Sequence, residues 1–170
     1  MIYTHRLIIR PLVLADAPFI LQLLNDRSFI ENIGDRGVRT TEDAKAYINN
    51  GPIASYQRYG FGLRAVILQE TNIAIGMCGL IQRDILDAPD LGYALLPQYT
   101  GQGYAYEAAK AAVQWAVTLE LCKLYAVVSL HNTASQNLLL KLGFANNGVI
   151  NWQQAEALLY QLPLVNPKTP

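Results

Sequence analysis

The sequence is poor in the features that mark several large functional classes. Cys78 and Cys122 are the only thiols in 170 residues, too few for a disulfide framework, so free thiols in a reducing compartment are expected. The two histidines, His5 and His131, lie far apart, and neither a His-Glu-x-x-His pattern nor paired cysteines occur, so no resident metal is expected. Charged residues make up only 15% of the chain, and thirteen Lys and Arg cancel thirteen Asp and Glu. Such a balance creates no broad field toward nucleic acid or anionic lipid, so partners of neither kind are expected. No apolar run approaches the ~18 residues of a membrane span. The N-terminal apolar stretch is broken by Arg6, Arg10 and Asp16 and is followed by no small-residue cleavage site, unlike a secretion signal. A cytoplasmic monomer or homodimer is the expectation.

What the chain does have is apolar bulk, 52% hydrophobic residues, enough for one domain over residues 1–165 with a short polar tail, Asn166–Pro170. His5–Arg10 alternates as a strand stopped by Pro11. Asp16 stands where a helix cap belongs, with Pro18 in the first turn and Phe19, Ile20, Leu23 and Leu24 on one face. Gly34 and Gly37 mark a loop. Thr40 or Thr41 caps a second helix, which Gly51-Pro52 should interrupt and Gly60 should close. Phe61–Leu68 and Ile73–Leu80 flank a polar hairpin loop, and a third strand, Asp90–Leu96, stops at Pro97. The rhythm then changes to a helix over Gly103–Glu120, a strand over Leu124–Ser129, a helix over Asn132–Leu142, and strands at Val149–Ile150 and Leu158–Leu164. A meander followed by β-α-β-α-β makes a mixed-sheet α/β domain of the α+β class.

The stretch richest in chemistry runs from Leu95 to Ala108, where a strand ends, a glycine-bearing turn follows and an Ala-rich helix begins. Glycines allow a ligand close to the backbone, and the open amides of a helix start attract phosphate, although the same pattern also serves as a plain turn. No Gly-Lys-Ser or Gly-Lys-Thr closes the loop, which excludes a Walker A sequence. A dinucleotide-binding unit would place its glycines early in a βαβ unit, whereas here a β-meander precedes them. A nicotinamide-dependent enzyme is therefore disfavoured.

Thr100-Gly101-Gln102-Gly103-Tyr104-Ala105 resembles the coenzyme loop of the GCN5-related N-acetyltransferases, Q/R-x-x-G-x-G/A, with Thr100 in the place of Gln or Arg. Gly92–Pro97 before it, Gly103–Ala108 after it, Asn132-Thr133-Ala134-Ser135, and Lys141-Leu142-Gly143-Phe144 are similar to the branch that acetylates ribosomal-protein N-termini, the RimJ and RimL type. Thr4–Pro11 resembles that branch's opening strand, and Ile75–Leu80 its central hairpin. The resemblance implies a mixed, mostly antiparallel sheet with splayed strands and transfer of acetyl from acetyl-coenzyme A to an amine by direct attack, without a metal. It implies that backbone groups of Leu95 and Leu96 meet the pantetheine arm and that Gly101, Gln102, Gly103, Tyr104 and Ala105 hold the pyrophosphate. Asn132, also a good helix N-cap, would bond the pantetheine arm.

Two catalytic candidates follow from the same resemblance. Many relatives carry a Tyr on the last helix that protonates the leaving thiolate; Leu139 stands there, and Ser135, one turn earlier, would donate instead or else serve the helix end. Asp90 falls where relatives carry a Glu base, one methylene short, so a water relay to the amine is expected, with His131 as the other candidate. Glu107 reads as a first-turn carboxylate and Cys78 as a core residue. At pH 7 an α-amine costs about 1 kcal/mol to deprotonate and a lysine about 4.6, which favours a protein N-terminus as acceptor; a small amine is the other. A non-catalytic acyl-coenzyme A sensor of the same fold would share the loop.

Overall fold

Alternating apolar positions build a single sheet in this computed structural model, which describes residues 1–165; the expected tail, Asn166–Pro170, lies outside the described residues. Its eight strands are β1 (Ile2–Tyr3), β2 (Leu7–Pro11), β3 (Leu63–Leu68), β4 (Ala74–Ile81), β5 (Asp90–Leu95), β6 (Lys123–Ser129), β7 (Ala145–Trp152) and β8 (Ala155–Pro163), in the order β1-β2-β3-β4-β5-β6-β8-β7. The helices are α1 (Ala17–Leu24), α2 (Arg27–Asn32), α3 (Thr41–Ile48), α4 (Ala54–Tyr59), α5 (Tyr104–Thr118) and α6 (Thr133–Lys141). Among the described residues, no helix is long and apolar enough to cross a membrane.

Neighbouring strands pair antiparallel except β5 and β6, which are parallel and meet in one rung, Asp90 opposite Tyr125. The Tyr125 amide donates to the Pro89 carbonyl at 2.9 Å, and beyond that point β6 bonds β8 along its length. The two parallel strands therefore diverge and leave a gap.

Each sheet face buries its own core. On one, Leu91, Leu95, Leu124, Val128 and Leu139 pack with α5, whose buried Ala108, Ala109, Ala111, Ala112 and Ala116 bring its backbone close to the strands. On the other, Leu12, Ile20, Leu24, Ile48 and Met77 pack beneath α1 and α3.

Several local expectations are corrected. Asp16 does stand at the N-cap position of α1 but makes no side-chain bond to that helix; its carboxylate takes the Val13 amide at 2.9 Å, at the start of the preceding 3-10 turn, and a two-pronged contact from Arg10 at 2.7 and 2.8 Å. Of the two expected candidates, Thr40 is the α3 cap, in a reciprocal box with Asp43. Gly51-Pro52 does not break the helical path: Asn49–Ile53 widens into a π-type turn joining α3 to α4, relieving the clash of the proline ring with the turn before it. The short α2, capped by Asp26, and β1 had no counterpart in the sequence reading, and β7 runs from Ala145 to Trp152 rather than over two residues.

Candidate functional site

The loop after β5 is built to leave backbone donors open. Pro97–Tyr99 forms one 3-10 turn, closed by the Thr100 hydroxyl on the Pro97 carbonyl at 2.8 Å. Gly101 and Gly103 follow with φ of 73° and 83°, where other residues are strained. A Cβ at Gly101 would meet nothing within 4 Å, and one at Gly103 only the Arg6 Nη2 at 3.3 Å. Gly103 is the N-cap of α5 and offers no side chain, and the first amide with a helical partner is that of Glu107, on the Gly103 carbonyl at 3.0 Å. The amides from Gly103 to Tyr106 thus have no intrahelical acceptor, an arrangement that suits a phosphate. A pyrophosphate fits here: the loop is exposed and no Cβ fills the turn.

Glu107, read from the sequence only as a first-turn carboxylate, ties this loop to the chain's beginning. Its Oε1 accepts from the Thr4 hydroxyl at 2.6 Å and the Arg6 amide at 2.7 Å, and its Oε2 from Arg6 Nε at 2.7 Å. Burial alone would raise this carboxyl, but those hydrogen bonds, first from Thr4 and then from Arg6, together hold it below its ordinary value. Arg6 Nη1 also donates to the Gln102 carbonyl at 3.0 Å, and its guanidinium covers the Tyr104 ring at 4.3 Å. Gln102 folds its amide onto the Gln98 carbonyl at 2.9 Å, and Ala105 packs against the core.

The β5 edge separates the two leucines. The Leu96 amide donates to Ile75 at 2.8 Å and its carbonyl accepts from Tyr99 at 3.0 Å, so both its backbone groups are committed, contrary to the expectation that they face the pantetheine arm. Alternation along a strand then turns the backbone groups of Tyr93 and Leu95 the other way, toward the gap beside β6.

Across that gap lies the start of α6. Asn132 is its N-cap, with Oδ1 accepting from the Ser135 amide at 3.1 Å. The Ser135 hydroxyl sits 2.6 Å from the Tyr93 hydroxyl, a contact that the sequence reading lacked. Burial pushes Tyr93 up to about 12, so it keeps its proton at neutral pH. Leu139 is wholly buried in the core.

Asp90 stands apart from this cluster. Three residues before Tyr93 on the same strand, it faces the opposite side of the sheet, and it is 3% exposed. Arg83 Nε donates to its Oδ1 at 3.1 Å. Burial raises its pKa, and the Arg83 charge and hydrogen bond oppose the rise without cancelling it. His131 is exposed on the turn before α6. On the Asp90 side of the sheet, a cleft of about 380 Å³ opens between α3, α4 and the end of β4, lined in part by Tyr47, Ser55, Ile81 and Arg83.

Known proteins share this architecture. The chain is 27% identical over 148 residues to the uncharacterized N-acetyltransferase YnaD of Bacillus subtilis (strain 168), covering 86% of this chain and 84% of that protein. An acetyltransferase from Agrobacterium tumefaciens superimposes with a TM-score of 0.82 at 27% identity, over 96% of this chain and 94% of that one. A RimL ribosomal L7/L12 α-N-protein acetyltransferase in complex with coenzyme A shares the fold, with a TM-score of 0.83 at 16% identity over 96% and 97% of the two chains. The family model of the acetyltransferase (GNAT) domain matches residues 6–145, and the fold agrees with it: the chain belongs to the GNAT N-acetyltransferases.

Proposed function

We propose that residues 1–165 form one catalytic domain that moves acetyl from acetyl-coenzyme A to a primary amine, with an α-amine as the acceptor, as in the RimJ and RimL branch. The observation that carries this reading is the gap between β5 and β6 beside an uncapped helix start, which together offer room for the pantetheine arm and donors for the pyrophosphate. The coenzyme's thioester supplies an acetyl group that is already activated. This chain supplies position, a base and a proton donor.

Gly101 and the amides from Gly103 to Tyr106 hold the phosphates, and the Leu95 backbone aligns the pantetheine arm. As the amine attacks the carbonyl carbon, the N–C bond forms and the C–S bond breaks. The ammonium proton passes through water to Asp90, whose burial places its carboxyl nearer the working pH than a surface aspartate. The electron pair leaves on sulfur and takes a proton from the Ser135 hydroxyl, and water returns a proton to the serine oxygen. The Tyr93 and Ser135 hydroxyls are 2.6 Å apart and either can donate; when Tyr93 donates, the serine's own proton is free to point at the sulfur. Asp90 and the Ser135–Tyr93 pair lie on opposite faces of the sheet, so proton removal and proton delivery occupy separate sides of the gap.

Thiol release from acetyl-coenzyme A tests the reading, with peptide α-amines, N-blocked lysine and small amines as acceptors. Release with an α-amine supports it; coenzyme binding without release to any acceptor would make the protein a sensor of the same fold. Asp90→Asn is expected to lower turnover by about 10², the low end for a base acting through water, and to remove the acid limb of the pH–rate profile. An unchanged profile would move the role to His131 or to solvent.

A further inference from the structure

The cleft on the Asp90 side has an unexpected sign for a protein whose acceptor is an amine. Its charged lining consists of Arg36, Arg58 and Arg83, with no carboxylate among the lining residues. Arg83 is balanced from beneath by Asp90 and lies over Trp152, 5.1 Å from the ring centroid. Arg36 and Arg58 form no ion pair among the described residues; Arg58 rests against the Tyr59 ring at 5.1 Å, and Arg36 makes no hydrogen bond there. Arg36 and Arg83 reach the cleft from different elements, one before α3 and one after β4, and both act on the same hydroxyl, that of Tyr47.

An ammonium entering such walls alone is repelled, and a polyamine is repelled several times over. An acceptor with its own anion reverses the sign, because a guanidinium matches a carboxylate with two parallel hydrogen bonds. The same positive walls lower the pKa of an amine nearby and so help to present it unprotonated. We infer that this cleft takes the acceptor by an anionic group, and that the substrate is an amine bearing a carboxylate close to its nitrogen. This rests on the acetyl-transfer reading. The carboxylate belongs either to a free amino acid or to an acidic residue next to a peptide N-terminus, and at about 380 Å³ the cleft has the size of a small-ligand site.

Two measurements test the inference, one of them independent of turnover. In calorimetric titration, N-acetyl-L-alanine is expected to bind at least tenfold more tightly than its neutral amide. The double substitution Arg36→Gln, Arg58→Gln is expected to abolish that preference, while Arg27→Gln on α2 leaves it intact. Equal binding of acid and amide, no measurable binding of the acid, or a preference that survives the double substitution would each overturn the inference. In the transfer assay, L-alanine, L-alaninamide, an Ala-Glu-Glu amide, an Ala-Lys-Lys amide and spermidine are compared. Anionic acceptors are expected to lead by tenfold or more in kcat/KM, and the double substitution to raise their KM rather than lower kcat. A lead for L-alanine names a free amino acid as the source, and a lead for the acidic peptide a protein N-terminus. Carboxylate binding without transfer to any acceptor would defeat the transferase reading and leave the anion site standing; transfer that favours spermidine or the lysine peptide would do the reverse.

Discussion

The two helices that follow the diverging strands begin in opposite ways. After β5, α5 starts at Gly103, in left-handed conformation and without a capping side chain, and its first amides are left open. After β6, α6 starts at Asn132, whose side chain closes the helix by taking the Ser135 amide at 3.1 Å. The first end leaves its amides open, and Thr4 and Arg6 brace it from outside by bonding Glu107 in its first turn. The second is braced from within and offers a side-chain hydroxyl instead. The two helix ends thus differ in where their hydrogen bonds go.

The comparison breaks most readily at Gly103. Gly103→Val forces a branched residue into a left-handed conformation and crowds Arg6, costing about 1–2 kcal/mol of stability. Coenzyme A affinity is expected to fall at least tenfold, about 1.4 kcal/mol, by titration of the folded variant. Parent-like affinity would mean that the open amides are not the pyrophosphate site.

Removing the carboxylate that receives the brace comes next. Glu107→Gln keeps the shape but loses charge-assisted hydrogen bonds, for about 2 kcal/mol at neutral pH, measured by denaturant unfolding. The parent's carboxyl is held below its ordinary value, so its contribution is full above ~4.3 and is lost as pH falls through the lower folded value. Parent and variant stabilities should therefore converge in acid. Parallel curves would show that the carboxylate contributes no charge-dependent stability.

At the second helix, Ser135→Ala is expected to slow single-turnover transfer about tenfold with saturating acetyl-coenzyme A, while affinity and stability change by less than about 1 kcal/mol. In the proposed mechanism the hydrogen bond from Ser135 to sulfur strengthens as charge develops there, and only such differential contacts raise the rate. Equal rates would leave protonation of the thiolate to water. The smallest effect belongs to Asn132. Asn132→Ala should cost about 1 kcal/mol of stability as a lost cap, whereas Asn132→Asp keeps the cap and replaces the amide donor with a charged acceptor. If affinity falls a few-fold in both variants, the donor meets the coenzyme; if only in Asn132→Ala, the residue acts through the helix alone.

What could be read in the sequence was local. Gly101, Gly103 and the Ala-rich helix behind them are neighbours in the chain. What escaped were contacts between distant segments. Tyr93 meets Ser135 across 42 residues, and it is one of ten tyrosines, so nothing in its surroundings singled it out. Arg6 meets Glu107 across 101 residues, and Glu107 in a first helical turn needed no such partner to make sense. Pro52 misled for a different reason: the expected break assumed α geometry, and the chain widens the turn instead. Asp16 had the right place for a cap, but Arg10 competes for its carboxylate.

The single rung at Asp90 and Tyr125 makes the sheet two ribbons joined at one stitch. Exchange of backbone protons with deuterated water should report that seam. In the free protein the Tyr93 and Leu95 amides, which face the gap, should exchange quickly, while those of Gly92 and Ala94, turned toward β4, stay protected. Coenzyme occupying the gap should slow the first pair and leave the second unchanged, so that the ligand serves as the strand the sheet omits.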